Sequence, residues 1–220
     1  FSAGAPVAYE RGQVLERASQ LIEARASEFV HTMQREAGFT SSDALGEVRR
    51  SIQTLKLSAE EARRLAGDVI PLEGAPGAAG RMGFTVRVPL GVVAAITPFN
   101  SPLNTVVHKV APAFAAGNAV ILKPSSFTPL TACLLAEVLQ EAGMPRGFLT
   151  VLHGSAEVVK QLQADERVRF FAFTGSTAVG LQIQQGAGLR RTQMELGSIA
   201  CTILCDDAKL DVALPKVVNA

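Results

Sequence analysis

The sequence predicts an α/β fold: an open, mostly parallel sheet with helices on its faces. Three observations carry this. Near-continuous apolar runs recur at Val92–Ile96, Ala119–Leu122, Phe148–Leu152 and Val168–Phe173. Helical patterns separate them, which is the signature of right-handed crossovers between parallel strands. Polar residues stand where the first two runs stop, Thr97-Pro98-Phe99-Asn100 and Lys123-Pro124-Ser125-Ser126. Open α/β sheets bind ligands just beyond the carboxyl ends of their strands.

Taken in order, Ala8 to about Ala37 reads as one helix. Val14, Leu15, Ala18, Leu21, Ile22, Ala26, Phe29 and Met33 recur at three- and four-residue steps, and Gly38 closes the run. Ser41, Ser42 or Asp43 can cap a second helix that presents Leu45, Val48, Ile52, Leu55 and Ala59 and runs to about Ala66-Gly67. Glu60-Glu61 against Arg63-Arg64 is a solvated face. Pro71–Gly80 has the composition of an exposed connection. From Arg81 to Val88 the chain alternates, with Met82, Phe84, Val86 and Val88 on one side. This is a strand whose apolar face needs a partner, a hairpin or an oligomer edge. Thr128 and Pro129 then stand as cap and first-turn proline of a helix ending at Gly143. After the third strand, Ala156–Gln163 is a short helix. The fourth strand ends in Thr174-Gly175-Ser176-Thr177, and a further helix reaches Gly188. Arg191–Leu196 and Cys201–Leu204 read as two more strands.

Composition narrows the class. A chain of 220 residues, 48% hydrophobic, suits one or two globular domains. Net charge is +1 with no basic block, which excludes nucleic acid and membrane surfaces as expected partners. Three cysteines make no disulfide framework and point to a reduced, cytoplasmic protein. No stretch is long and apolar enough to span a bilayer, and the first six residues lack the regions of a signal peptide. The chain opens almost on a helix and closes on Val217-Val218-Asn219-Ala220 without a stop signal, so it is expected to be a piece of a longer protein.

Generic motifs exclude several chemistries. G-x-G-x-x-G and G-x-S-x-G are absent, and Gly175 to Gly180 lacks the lysine a nucleoside triphosphate loop needs. His31, His108 and His153 have no metal-ligand spacing and read as surface or packing residues. Cys201 and Cys205 share one face of the last expected strand and read as buried structural cysteines. Polar residues at strand ends remain: Asn100, Lys123, Ser126, Gly175, Ser176 and Glu195. A carboxylate such as Glu195 at the end of a buried strand needs a task or a partner.

Four motifs in register, TPFNSP, LKPSSFTP, FTGSTAVG and MELGS, resemble those of the NAD(P)-dependent aldehyde dehydrogenases, and the likeness covers nearly the whole chain. The resemblance implies a Rossmann-like cofactor domain and an enzyme that oxidises an aldehyde to a carboxylate with NAD or NADP. In that family a cysteine thiolate attacks the aldehyde, a hydride leaves, and water clears the thioester. Asn100 would donate to the oxyanion and Glu195 would activate the water, because an oxyanion wants a fixed neutral donor and the water a carboxylate base. Lys123 and Ser126 would hold the adenosine ribose. Phe173, Gly175, Ser176 and Val179 would receive the pyrophosphate. Ile96, Thr97, Pro98 and Phe99 would line the cleft, and Leu196 and Gly197 would sit by the nicotinamide. No metal is implied.

The same likeness divides the chain. Residues 1–80 would be leading helices, 81–90 a strand of an oligomerisation hairpin, and 91–220 the cofactor domain. The full-length protein would be a homodimer or homotetramer. Departures from the family pattern add expectations. Many NAD-specific members carry glutamate where Ser126 stands, and serine does not repel a 2′-phosphate, so NADP is expected to be accepted. Ser198-Ile199-Ala200 after Gly197 suggests a subfamily associated with lactaldehyde or phosphonoacetaldehyde. Glu195 favours hydrolysis over transfer to coenzyme A. The nucleophilic cysteine is missing and is expected beyond Ala220. The alternative is a non-catalytic dinucleotide-binding module.

Overall fold

In a computed structural model the protein is described from residue 4 to residue 218. The first three residues of the segment read for a signal peptide, and the closing pair Asn219-Ala220, lie outside these described residues. The elements are α1 (Ala8–Ala24), α2 (Ala26–Ala37), α3 (Ser41–Arg64), β1 (Val69–Ile70), β2 (Gly83–Phe84), β3 (Val92–Ile96), α4 (Asn104–Ala115), β4 (Ala119–Lys123), α5 (Pro129–Glu141), β5 (Leu149–Val151), α6 (Ala156–Ala164), β6 (Val168–Thr174), α7 (Thr177–Ala187), β7 (Arg191–Glu195) and α8 (Leu210–Val218).

Five parallel strands form the sheet in the order β5-β4-β3-β6-β7. β3 is central. The chain winds outward through β4 and β5, then crosses to β6 and β7 on the other side. The loops after β3 and β6 therefore part in opposite directions, which makes the gap between them the switch point where such sheets bind ligands. Side chains alternate across the sheet. Val93 and Ala95 join the larger core with α1 to α5, while Ala94 and Ile96 join a smaller one with Leu162, Phe171, Phe173 and Ile183.

Several expectations are corrected. The first helix is two, because the chain leaves helical geometry at Arg25 (φ −100°, ψ 20°). The Arg25 guanidinium there pairs with Glu28 and with Glu137 and Glu141 of α5. Thr40, not Ser41, Ser42 or Asp43, caps α3; its Oγ1 accepts from the Asp43 N–H at 3.1 Å. Arg64 pairs with Glu61 as expected of a solvated face, but Arg63 turns to Glu16 of α1. Thr128 gives no side-chain cap to α5. The Glu36 carboxylate does so instead, accepting from the N–H groups of Leu130 (2.7 Å) and Thr131 (2.9 Å).

The expected strand from Arg81 to Val88 is paired only at Gly83–Phe84, antiparallel to Val69–Ile70. Met82, Phe84, Val86 and Val88 are all exposed, so among the described residues the predicted apolar face has no cover. Cys201–Leu204 is not a strand, and Cys201 and Cys205 are exposed rather than buried. Among the described residues this run has no neighbouring strand to complete its backbone hydrogen bonds, and its side chains are exposed. Helix α8 was not anticipated. No described helix is long and apolar enough to cross a membrane.

Candidate active site

Ten of the expected residues meet in one cleft of about 370 Å³ at the switch point. Ile96, Thr97, Pro98 and Phe99 line it from the end of β3, Lys123 and Ser126 from the end of β4, and Phe173, Gly175, Ser176 and Val179 from the turn into α7. Lys160, Gln163 and Gln182 complete the wall from α6 and α7, and sequence reading had passed over them. A cationic side chain one turn after the α6 cap, Ser155, was the available signal for Lys160.

Local chemistry suits this cleft to a phosphorylated ligand. Helix geometry leaves the first N–H groups of α7 without intrahelical acceptors. Ser176, the N-cap, takes the one from Val179 at 3.4 Å, and Gly175, Ser176 and Val179 all line the cleft, so the positive end of the α7 dipole lies at its wall. Gly175 is required by space: a Cβ there would lie 2.5 Å from the Phe173 ring. Lys123 is half-buried, and burial lowers its pKa. Its ammonium donates to the Pro124 carbonyl at 3.1 Å and keeps further donors free. Thr97 Oγ1 is buried without a hydrogen-bond partner. Unpaired donors along a cleft that begins at a helix N-terminus fit the ribose and phosphates of a dinucleotide.

The remaining four expected residues lie outside the cleft lining. Leu196 and Gly197 run beneath α7, where a Cβ on Gly180 would meet Leu196 at 2.4 Å. Asn100 is exposed on the loop between β3 and α4. Glu195 ends β7 and is exposed, not enclosed as a central strand would have made it, because β7 is the edge of the sheet. Met194 packs on the smaller core, so its neighbours Gln193 and Glu195 face the other way.

On that side lies a residue absent from the sequence-level candidates. Lys109 of α4 is 5% exposed and donates to Gln193 Oε1 at 3.1 Å; Gln193 Nε2 in turn donates to Glu195 Oε1 at 3.2 Å. Burial pulls the Lys109 pKa down to about 8, while the Glu195 charge acts to raise it. A lysine between Val106 and Val110, on an otherwise apolar helical face, was the signal for it.

No described cluster of three or more His, Cys, Asp or Glu could hold a metal ion. Of the two readings of the histidines, surface or packing, the structure shows the first, with all three exposed. Cys133 lines a different hollow with Glu137 and Arg146. Its thiol is pushed up in pKa by burial, then by Glu137 and Glu36, which is the wrong direction for a nucleophile.

Known proteins share this arrangement. The sequence profile of the aldehyde dehydrogenase family matches residues 5–220. The 3-sulfolactaldehyde dehydrogenase of Priestia megaterium is 50% identical over 93% of this chain and 43% of its own length. The mitochondrial succinate-semialdehyde dehydrogenase of Arabidopsis thaliana is 41% identical over 96% and 40%. Among solved structures, an aldehyde dehydrogenase from Brucella melitensis biovar abortus 2308 superposes with a TM-score of 0.93 at 38% identity, covering 98% of this chain and 44% of that one. The NADP-dependent glyceraldehyde-3-phosphate dehydrogenase of Bacillus halodurans C-125, complexed with NADP, gives 0.93 at 31% identity over 97% and 45%. The chain thus spans less than half the length of these relatives. A profile match over nearly every residue, on the parallel sheet that carries the expected motifs at its strand ends, means that the chain belongs to the aldehyde dehydrogenase family.

Proposed function

We propose that this chain is the cofactor-binding portion of an NAD(P)-dependent aldehyde dehydrogenase that converts a small aldehyde to its carboxylate through a thioester. The observation that carries this reading is the cleft at the switch point, which gathers Lys123, Ser126, Gly175 and Ser176 around the start of α7. The bound dinucleotide supplies the hydride acceptor. Lys123 and Ser126 bind its adenosine ribose, the α7 N-terminus its pyrophosphate, and Leu196 and Gly197 border its nicotinamide.

From the loop after β3, Asn100 donates to the oxyanion that develops on the aldehyde oxygen as the thiolate adds to its carbon. Glu195 takes a proton from the water that clears the thioester. Lys109 and Gln193 hold the Glu195 carboxylate through the hydrogen bonds described above. The chain spans less than half the length of its relatives, and we assign the attacking cysteine to the remainder of the full-length protein. Ser126 leaves space and no negative charge at the ribose, and Lys160 stands on the same wall, so NADP is accepted. Relatives named for sulfolactaldehyde, aspartate semialdehyde and succinate semialdehyde all act on aldehydes with an acidic group, and we assign the same class here. The exposed face of Met82, Phe84, Val86 and Val88 is the oligomerisation edge.

The test uses the full-length protein with short acidic semialdehydes. Aldehyde-dependent formation of NADPH or NADH is expected, and Asn100→Ala should slow the first turnover by roughly a hundredfold, as loss of an oxyanion donor does. An unaltered first turnover in that variant would remove Asn100 from its role.

A further inference from the structure

Glu47 lies in the second turn of α3, far in sequence from the proposed site, and is 1% exposed. A buried carboxylate is costly unless it is hydrogen-bonded. Its Oε2 accepts from Ser101 Oγ at 2.8 Å and from the Asn104 N–H at 2.9 Å, while Oε1 is met by the largely solvated Arg50 at 2.5 Å. Ser101 directly follows Asn100, and Asn104 is the first residue of α4. The residue in the N-cap position of α4 is Leu103, which has no side-chain oxygen to offer. Glu47 thus caps α4 from another helix and pins the loop one residue past Asn100. The loop's other end is pinned where the Thr97 N–H donates to the Lys123 carbonyl at 3.2 Å. Between the two pins stand only Pro98, Phe99 and Asn100, the last of them exposed.

We infer that Glu47 is a positioning residue for the oxyanion donor, holding the Asn100 loop from α3 without touching substrate. The inference rests on the proposed role of Asn100. Because an oxyanion donor works only when fixed in place, freeing the loop lowers the rate of acylation and leaves cofactor affinity alone.

The experiment measures single-turnover formation of reduced cofactor in the full-length protein, together with NADPH affinity and amide hydrogen exchange at Ser101, Leu103, Asn104 and Thr105. Glu47→Ala should slow acylation by about tenfold to a hundredfold, the range expected when a catalytic group is misplaced by about an ångström. It should speed exchange at Asn104 and leave NADPH affinity within about twofold, since the cleft residues are untouched. Glu47→Gln keeps an oxygen for both donors and should restore most of the rate. Glu47→Asp, which withdraws the oxygens but keeps the charge, gives the same reading should the alanine variant not fold. In an Asn100→Ala background, Glu47→Ala should cost nothing more. Losses that multiply, or normal acylation in Glu47→Ala while Asn100→Ala is slow, would overturn the inference and leave the Asn100 role standing. Normal acylation in Asn100→Ala would remove that role and this inference with it.

Discussion

Lys109 is where function and stability oppose each other most directly. It is buried in a groove with Val93, Phe170 and Ala172, and its pKa falls from 10.5 to about 8 through burial. The folded state therefore binds this proton less readily than the unfolded chain, and the depression corresponds to about 3 kcal/mol of destabilisation. The cost is complete below pH 8 and disappears as pH rises through 8 to 10.5. Lys109→Met should raise stability in urea by about 1–3 kcal/mol at pH 7, with the gain shrinking above pH 8. The same variant should slow thioester hydrolysis, because Gln193 and Glu195 lose the cation that holds them. Destabilisation at pH 7 would show that the Gln193 hydrogen bond outweighs burial of the charge. At Ser126 the expectation concerns selectivity. Ser126→Glu should weaken NADP binding by about a hundredfold, or roughly 2.7 kcal/mol, and spare NAD, as read by titration of the two reduced cofactors.

At the scale of elements, the helices that follow β3 and β4 are capped by carboxylates from the leading helices, Glu47 for α4 and Glu36 for α5. Glu36→Ala leaves two N–H groups and the Thr131 hydroxyl without their acceptor. It should destabilise the protein by about 1–2 kcal/mol in urea, with faster hydrogen exchange at Leu130 and Thr131 and unchanged exchange in α7. These caps also mark where sequence reading stops. The strands of the sheet were legible because their apolar runs and polar ends are local patterns. Thr128 before Pro129 looked like a cap by the same local rule, yet the acceptor comes from residue 36, and only the packing of α2 on α5 brings it there. The break at Arg25 was hidden because apolar spacing continues through it. Cys201–Leu204 had the pattern of a strand without the neighbour that makes one.

The parallel sheet carries a polar cluster on each face near its strand ends. One is the cleft between β3, β4 and α7; the other is the Lys109–Gln193–Glu195 chain between α4 and β7. Sequence motifs had put the cleft residues and Glu195 at strand ends, but not the Lys109 and Gln193 contacts to Glu195, since a motif carries no packing partner. The antiparallel ribbon of β1 and β2 adds an exposed apolar face, with Met82 85% and Phe84 70% exposed. Phe84→Glu with Val86→Glu should reduce the full-length protein to monomers in light scattering; an unchanged mass would place its interface elsewhere. In the proposed mechanism Asn100 serves formation of the thioester and Glu195 its hydrolysis, and the pre-steady-state burst of the full-length Glu195→Gln variant separates the two steps. A single equivalent of reduced cofactor per site at near-normal rate, followed by a stall, is the predicted result. Steady turnover at the wild-type rate would contradict it.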